Sequence, residues 1–302
     1  MPLDRLRGLR RQPRRRQARA RPPRPDAVDS RRSGAEARAL QTTTNTTRPG
    51  TRLRVALSGA TGRVGRRVAA LLRDDPELVL AAALASPERP DLGADLGAVL
   101  GTAPFGVPLE SSTERAFDVL IDLSVPSASA EQALRCAELG RPIVIGTTGQ
   151  SREELESIEE AARTIAVVLA PNLSPGVAVL RELAAIARRR LGADFDVEIL
   201  EYHRRGKRDA PSGTALALAR ALEADPPGDQ PPSIPIHSVR AGDIAGEHAL
   251  LFAGPGETLL LRHRALDRDL FARGARRAAR WLIGRAPGLY TMSDVLASPD
   301  AR

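Results

Sequence analysis

Cysteine occurs once in the 302 residues, at Cys136, so no disulfide can close within one chain and no site can be assembled from several thiolates. Its setting, Glu131 to Leu139, has helical spacing, and a small buried hydrophobe is the plain reading. Aromatic residues make up 3% of the chain, which leaves Ala, Leu, Val and Ile to build the core. No apolar run approaches the ~18 residues of a membrane span, so no membrane partner is expected. The N-terminus lacks the apolar core of a signal peptide. Beyond His203, the histidines His237, His248 and His263 are dispersed and follow no metal-ligand spacing, so no metal is expected. These absences point to a reduced, cytoplasmic setting.

The formal charge of +8 invites a nucleic-acid reading, but its position argues against one. Residues 1–50 hold 14 Arg and four acids, so 31 of the 45 basic and 33 of the 37 acidic residues belong to 51–302. The body is near neutral, and no nucleic-acid partner is expected. Residues 1–50, rich in Arg and Pro and with a Thr-rich run at 42–47, show no sustained apolar periodicity. They read as a disordered basic tail.

From Leu53 onward, short apolar runs alternate with helical patterns. Leu53–Ser58, Leu78–Leu84, Asp118–Ser124, Pro142–Gly146 and Ile165–Ala170 have strand length and are continuously apolar in their centres. Such strands belong to a parallel sheet buried on both faces, an α/β architecture. Later segments change character. Helices are expected over Val177–Leu191, Thr214–Ala224 and Arg268–Ile283, and Asp225–Pro232 reads as a surface loop. Asp196–His203 alternates and reads as a strand with one wetter face, and Ile236–Arg240, His248–Phe252 and Glu257–His263 read as strands of an antiparallel or mixed sheet.

Several segments carry chemistry. Gly59-Ala-Thr-Gly-Arg-Val-Gly65 lies between a strand and a helix, where glycines let a backbone approach a pyrophosphate and the helix N-terminus favours an anion. The second strand ends without an acid at Ala85-Ser86. Ser86 and Arg89 suit a 2′-phosphate and favour NADPH, while Glu88 keeps NADH open. Gly146-Thr-Thr-Gly149 and Ala170-Pro-Asn-Leu-Ser-Pro-Gly176 follow the carboxyl ends of strands, where open α/β sheets bind ligands. The densest signal is Glu201 to Thr214, with His203, Arg204, Arg205 and Lys207 ahead of Ser212-Gly-Thr214 at a helix start. Clustered cations followed by a helix N-terminus suit a small polycarboxylate or phosphate. His203 and Lys207 are the candidates for proton transfer.

These blocks, in this order, resemble the bacterial 4-hydroxy-tetrahydrodipicolinate (dihydrodipicolinate) reductases of lysine biosynthesis. The resemblance spans about Leu53 to Leu296. It also rests on Val239-Arg-Ala-Gly-Asp-Ile-Ala-Gly-Glu-His248 and Gly288-Leu-Tyr-Thr-Met-Ser-Asp-Val-Leu296. It implies a Rossmann-type dinucleotide-binding domain, 51–174 plus 241–302, with an inserted α+β substrate-binding domain, 175–240. It implies hydride delivery from NADPH or NADH to a cyclic dicarboxylate imine, with His203 and Lys207 catalytic. Gly213 and Thr214 are implied at a substrate carboxylate. Gly59, Ala60, Thr61, Gly62, Arg63, Val64, Gly146, Thr147, Thr148, Ala170, Pro171, Asn172 and Leu173 are implied at the cofactor. Members commonly have a second His where this chain has Arg204, whose fixed charge can still grip a substrate carboxylate. A homotetramer is implied, although the segment between Ala224 and Val239 is shorter than in many members. Two other readings share the fold: a different NAD(P)-dependent amino-acid dehydrogenase, and a noncatalytic dinucleotide-sensing protein using the tail as an interaction arm.

Overall fold

Seven strands pair in parallel to form the larger of two sheets in the computed structural model, which describes residues 52–223 and 233–297. The basic tail and the loop at 225–232 lie outside the described residues. The chain runs β1 (Leu53–Ser58), α1 (Gly65–Arg73), β2 (Leu78–Leu84), α2 (Leu96–Leu100), β3 (Leu109–Glu110) and β4 (Val119–Asp122). It continues through α3 (Pro126–Glu138), β5 (Ile143–Ile145), α4 (Arg152–Ala162) and β6 (Ala166–Leu169).

Alternation along each strand sends neighbouring side chains to opposite faces. Val55, Leu57, Val119, Ile121, Val144 and Val168 share one core with Val68, Ala69 and Leu72 of α1. Ala56, Leu120, Ile143, Ile145 and Val167 face the other way, onto Ala133 and Cys136 of α3 and Ile158 and Ala161 of α4. Cys136 is buried there, and burial pushes its thiol up to about 12. Both faces are covered, which is why these strands read as unbroken apolar runs.

After β6 the chain departs into a second domain. It forms α5 (Pro175–Leu191), β7 (Asp196–His203), α6 (Gly213–Arg220), β8 (Ile236–Arg240), β9 (Glu247–Gly254) and β10 (Glu257–Arg264). The sheet order is β10-β9-β7-β8, with β7 antiparallel to β9 and parallel to β8. One face packs Val197, Ile199, Leu250 and Phe252 against Leu180 and Ala184 of α5 and Ala215 and Leu218 of α6. The chain then returns as α7 (Asp269–Leu282), β11 (Gly288–Tyr290) and α8 (Met292–Ala297), with β11 pairing alongside β6.

This corrects the domain boundary expected at 240/241. Residues 247–264 belong to the second sheet, because Leu250 and Phe252 are fully buried in the core that also holds Ile199. The return begins at α7. The finished order of the large sheet is β3-β2-β1-β4-β5-β6-β11. It reverses direction between β1 and β4, which opens a crevice at the carboxyl ends of those strands. No helix among the described residues is long and apolar enough to cross a membrane.

Candidate active site

At that reversal the loops after β1 and β4 are pressed together. Gly59 has φ +72°, and a Cβ there would lie 2.2 Å from the Leu123 carbonyl oxygen, so only glycine fits. The amides of Gly59 and Ala60 donate to the Leu84 carbonyl at 3.0 and 3.2 Å, and Gly62 N–H donates to Gly59 at 2.9 Å. These residues shape the turn from behind. Arg63 and Val64, at the entry to α1, line a cavity of about 500 Å³. A backbone cradle at a helix N-terminus fits the diphosphate of a dinucleotide.

Gly146 and Thr148 line the same cavity, as do Pro171, Asn172 and Leu173. Their neighbours hold the frame instead. The Thr147 hydroxyl donates to Asp122 at 2.5 Å and accepts the Ser124 amide at 3.0 Å. Ala170 is buried, and its amide donates to Ile145 at 2.9 Å. Thr61 accepts from Arg89 at 3.3 Å. Ser86 accepts weakly from the Glu88 amide at 3.4 Å, and Arg89 forks onto both Asp91 oxygens at 2.7 and 2.5 Å. Arg89 stands beside the glycine loop, and neither it nor Ser86 belongs to the cavity lining.

The second domain supplies the opposite wall. His203 ends β7, and Arg204, Lys207 and Thr214 follow it along the cavity. Lys207 Nζ donates to both Asp209 carboxylate oxygens, at 2.9 and 2.7 Å. Burial works to raise the Asp209 carboxyl, but Lys207, together with a backbone hydrogen bond and the charge of Arg240, holds the group below its usual range. Ser212 caps α6 by accepting the Ala215 amide at 3.2 Å. Gly213, exposed, is the first helical residue, and Thr214 follows it. With Arg63, Arg208 and Arg268 also present, the cavity is rich in cations. That charge balance suits a ligand with several anionic groups.

Behind His203 lies a buried network whose members, apart from His203, had no assigned role in the sequence. His203 Nδ1 meets Glu201 Oε2, and the other Glu201 oxygen accepts from Arg240 Nη2 at 2.7 Å. Burial works to raise Glu201, but hydrogen bonds from Arg240 and Ser238, together with His203, hold it below the usual carboxylate range. Burial depresses His203, with Glu201 opposing the shift. His248 packs edge-on against His203, ring centroids 5.2 Å apart, with its Nε2 3.2 Å from Ser212 Oγ. Burial pushes His248 down to about 3, so it stays neutral near pH 7. Glu201, His203 and His248 bring ligand-type atoms within 4.8 Å of one another, a grouping hidden by their separation in sequence. Both Glu201 oxygens are already engaged, by His203 and Arg240, while His248 joins the group by ring packing alone. His263 and Arg268 also line the cavity; neither stood out in the sequence.

Residues 53–173 match the family described as dihydrodipicolinate reductase, N-terminus, and residues 176–296 match dihydrodipicolinate reductase, C-terminus. A 4-hydroxy-tetrahydrodipicolinate reductase from Rubrobacter xylanophilus is 42% identical over 263 residues, covering 82% of this chain and 99% of the relative. One from an Anaeromyxobacter species is 43% identical over 267 residues, covering 82% and 99%. Among solved structures, a dipicolinate-bound dihydrodipicolinate reductase from a Paenisporosarcina species superposes with TM-score 0.65 at 28% identity. It covers 80% of this chain and 98% of that one. An amine dehydrogenase from Mycobacterium smegmatis, TM-score 0.54 at 16% identity over 80% of this chain and 96% of its own, shares the fold. With nearly the whole described body accounted for by its two halves, the chain belongs to the dihydrodipicolinate reductase family.

Proposed function

We propose that this chain reduces 4-hydroxy-tetrahydrodipicolinate to tetrahydrodipicolinate, with loss of the hydroxyl as water, in the diaminopimelate route of lysine biosynthesis. The observation that carries the reading is a single cavity lined both by the dinucleotide loops and by His203, Lys207 and Thr214. Arg63, Val64, Gly146, Thr148 and Asn172 would hold the cofactor, which supplies hydride when bound. NADPH is favoured over NADH, with Arg89 beside the glycine loop as the group to meet a 2′-phosphate.

The chain's own residues then divide the remaining work. Arg204 and the first turn of α6 at Gly213 and Thr214 receive the two carboxylates, one by charge and one by helix amides. Lys207 Nζ gives up the proton that balances the arriving hydride. The contact of His203 Nδ1 with Glu201 leaves Nε2 for proton exchange in the cavity. Closing the two domains over the ligand excludes water. The family resemblance implies a homotetramer, and we extend that to this chain. The edge strand β10, which exposes Leu259 and Leu260, is available for such contacts. A cytoplasmic setting matches the pool of reduced cofactor.

The test is a coupled assay in which aspartate semialdehyde and pyruvate are condensed by the preceding synthase while NADPH or NADH oxidation is followed. Oxidation that depends on the condensation product is the expected result. No oxidation with either cofactor rejects the assignment. Oxidation of a 2-amino acid or an amine instead would select the amino-acid dehydrogenase reading.

A further inference from the structure

Arg240 is not itself among the residues that line the cavity, yet one of its nitrogens reaches toward both residues assigned to proton transfer. We propose that Arg240 is a positioning residue that fixes His203 and Lys207 relative to each other, acting through Glu201 on one side and the Asp209 backbone on the other. The inference rests on the assignment of His203 and Lys207 made above.

Arg240 ends β8 and lies opposite His203 in the parallel register. Its Nη2 donates to Glu201 Oε1 at 2.7 Å and to the Asp209 carbonyl at 2.6 Å. Its Nη1 donates to Val239 O at 2.9 Å, while Nε is buried without a partner. The two outward contacts therefore come from a single nitrogen. Through the first, Arg240 holds a fully buried carboxylate whose second oxygen faces His203 Nδ1. A carboxylate on one imidazole nitrogen fixes which nitrogen faces substrate. Through the second, Arg240 pins the residue whose side chain holds Lys207 Nζ. The loop between His203 and Pro211 also has backbone ties: Arg205 N–H to Gly242 at 3.0 Å and Ala241 N–H to His203 at 2.9 Å. Those ties place the loop's start, whereas the Arg240 contact falls beyond Lys207. The charged or titratable groups facing His203 are Glu201 on its own strand, Arg240 on β8, His248 on β9 and Lys207 on the loop.

Glu201 and Arg240 act on His203 with opposite sign, since the carboxylate favours the protonated ring and the guanidinium disfavours it. Two substitutions therefore separate positioning from mere stability. Glu201→Gln should move the His203 imidazole titration, read by NMR, to lower pH, and Arg240→Met should move it to higher pH. The corresponding limb of the kcat–pH profile should follow each. Arg240→Met should lower kcat about 10–100-fold, the range typical of groups that orient a reacting side chain, with KM for the cofactor within about twofold. Arg240→Lys should recover at least about tenfold over Arg240→Met, because one ammonium can donate to both acceptors.

If Arg240→Met fails to fold, Glu201→Gln and Arg240→Lys carry the test. A His203 titration and rate unchanged in Glu201→Gln would then overturn the proposal. So would a kcat within twofold of wild type in a folded Arg240→Met. His203→Gln and Lys207→Ala are measured alongside. If those retain full rate, the underlying assignment is wrong and the positioning role falls with it. If they are inactive while Arg240→Met is not, the positioning role alone is wrong.

Discussion

Asn172 Nδ2 donates to Thr214 Oγ1 over 2.9 Å, joining the loop after β6 to the first turn of α6. Asn172 Oδ1 accepts the Ser174 amide at 2.8 Å, which fixes the orientation of the side-chain amide. Because Thr214 Oγ1 accepts here, its hydroxyl proton is left to donate to a ligand carboxylate. Asn172→Ala should raise the KM for substrate about 2–10-fold, the equivalent of about 0.5–1.5 kcal/mol for one hydrogen bond. The melting temperature should barely move. Steady-state kinetics with an unchanged KM would show the bond to be incidental to binding.

Lys207→Ala removes the group proposed to deliver the proton. Turnover should fall by about 10²–10⁴-fold, the usual contribution of a general acid. Binding of NADPH, followed by its fluorescence, should persist. A variant that keeps most of its rate would move the proton donor elsewhere in the cavity.

Arg89 is shared between Asp91 and Thr61, so its charge is partly spent before any 2′-phosphate arrives. Arg89→Ala should raise the KM for NADPH about 3–10-fold, as expected for an exposed charged contact, and leave NADH little changed. Asp91→Asn should act the other way and sharpen the preference for NADPH. Equal effects on both cofactors would remove Arg89 from the discrimination.

Gly274 lies inside α7 where that helix crosses the Leu173 backbone. A Cβ there would come within 1.8 Å of the Leu173 carbonyl oxygen. Gly274→Ala ordinarily favours a helix. Here it should cost at least about 1–3 kcal/mol through overpacking and lower the melting temperature. Cofactor affinity should fall too, because the displaced loop carries Asn172 and Leu173. A more stable variant would contradict the close approach.

His248 is held neutral, at about 3 against an ordinary 6.5. The unfolded chain binds its proton first as pH falls, so the stability tied to the neutral ring is fully present above about pH 6.5. It is lost progressively toward pH 3, at up to roughly 1.4 kcal/mol for each pH unit. Burial shifts His203 and His263 in the same direction. Denaturant melts of wild type between pH 7 and 4.5 should show this slope, and His248→Gln should flatten it. An equal slope in the variant would mean that His248 is not the group responsible.

Much of this is legible in the sequence itself. The passage from β1 through the glycine loop to α1 was legible because an apolar run, a turn requirement and a helical period follow one another locally. Lys207 and Thr214 were legible for the same reason, being close in sequence to His203. The grouping of β8, β9 and β10 in one sheet was legible too, but that β7 joins them, and that the second domain therefore runs past 240, is decided only by the strand pairing and by the shared burial of Ile199, Leu250 and Phe252. β3 escaped notice because two residues, Leu109–Glu110, carry no period. Arg240 and His248 reach the site across strand pairing from distant segments, so their roles became visible only with the register. The block Val239 to His248 had marked the region without saying what its side chains touch.

The edge strand β11 and the helices α7 and α8 have a consequence for how the protein is made. They are translated after the whole second domain, yet Ala275, Ala278, Leu282 and Val295 fill the core begun by β1 and α1. On the ribosome, the nucleotide domain begins to emerge before the second domain and is completed after it. Until Gly288–Tyr290 is released, β6 stands as an open edge and the α1 face of the sheet lacks its cover. The inserted second domain can finish folding in the interval, since its sheet and helices are contiguous in the chain. Nascent chains stalled before α7 should therefore expose a sticky α/β half-domain beside an already folded partner. That is where a chaperone would be needed most.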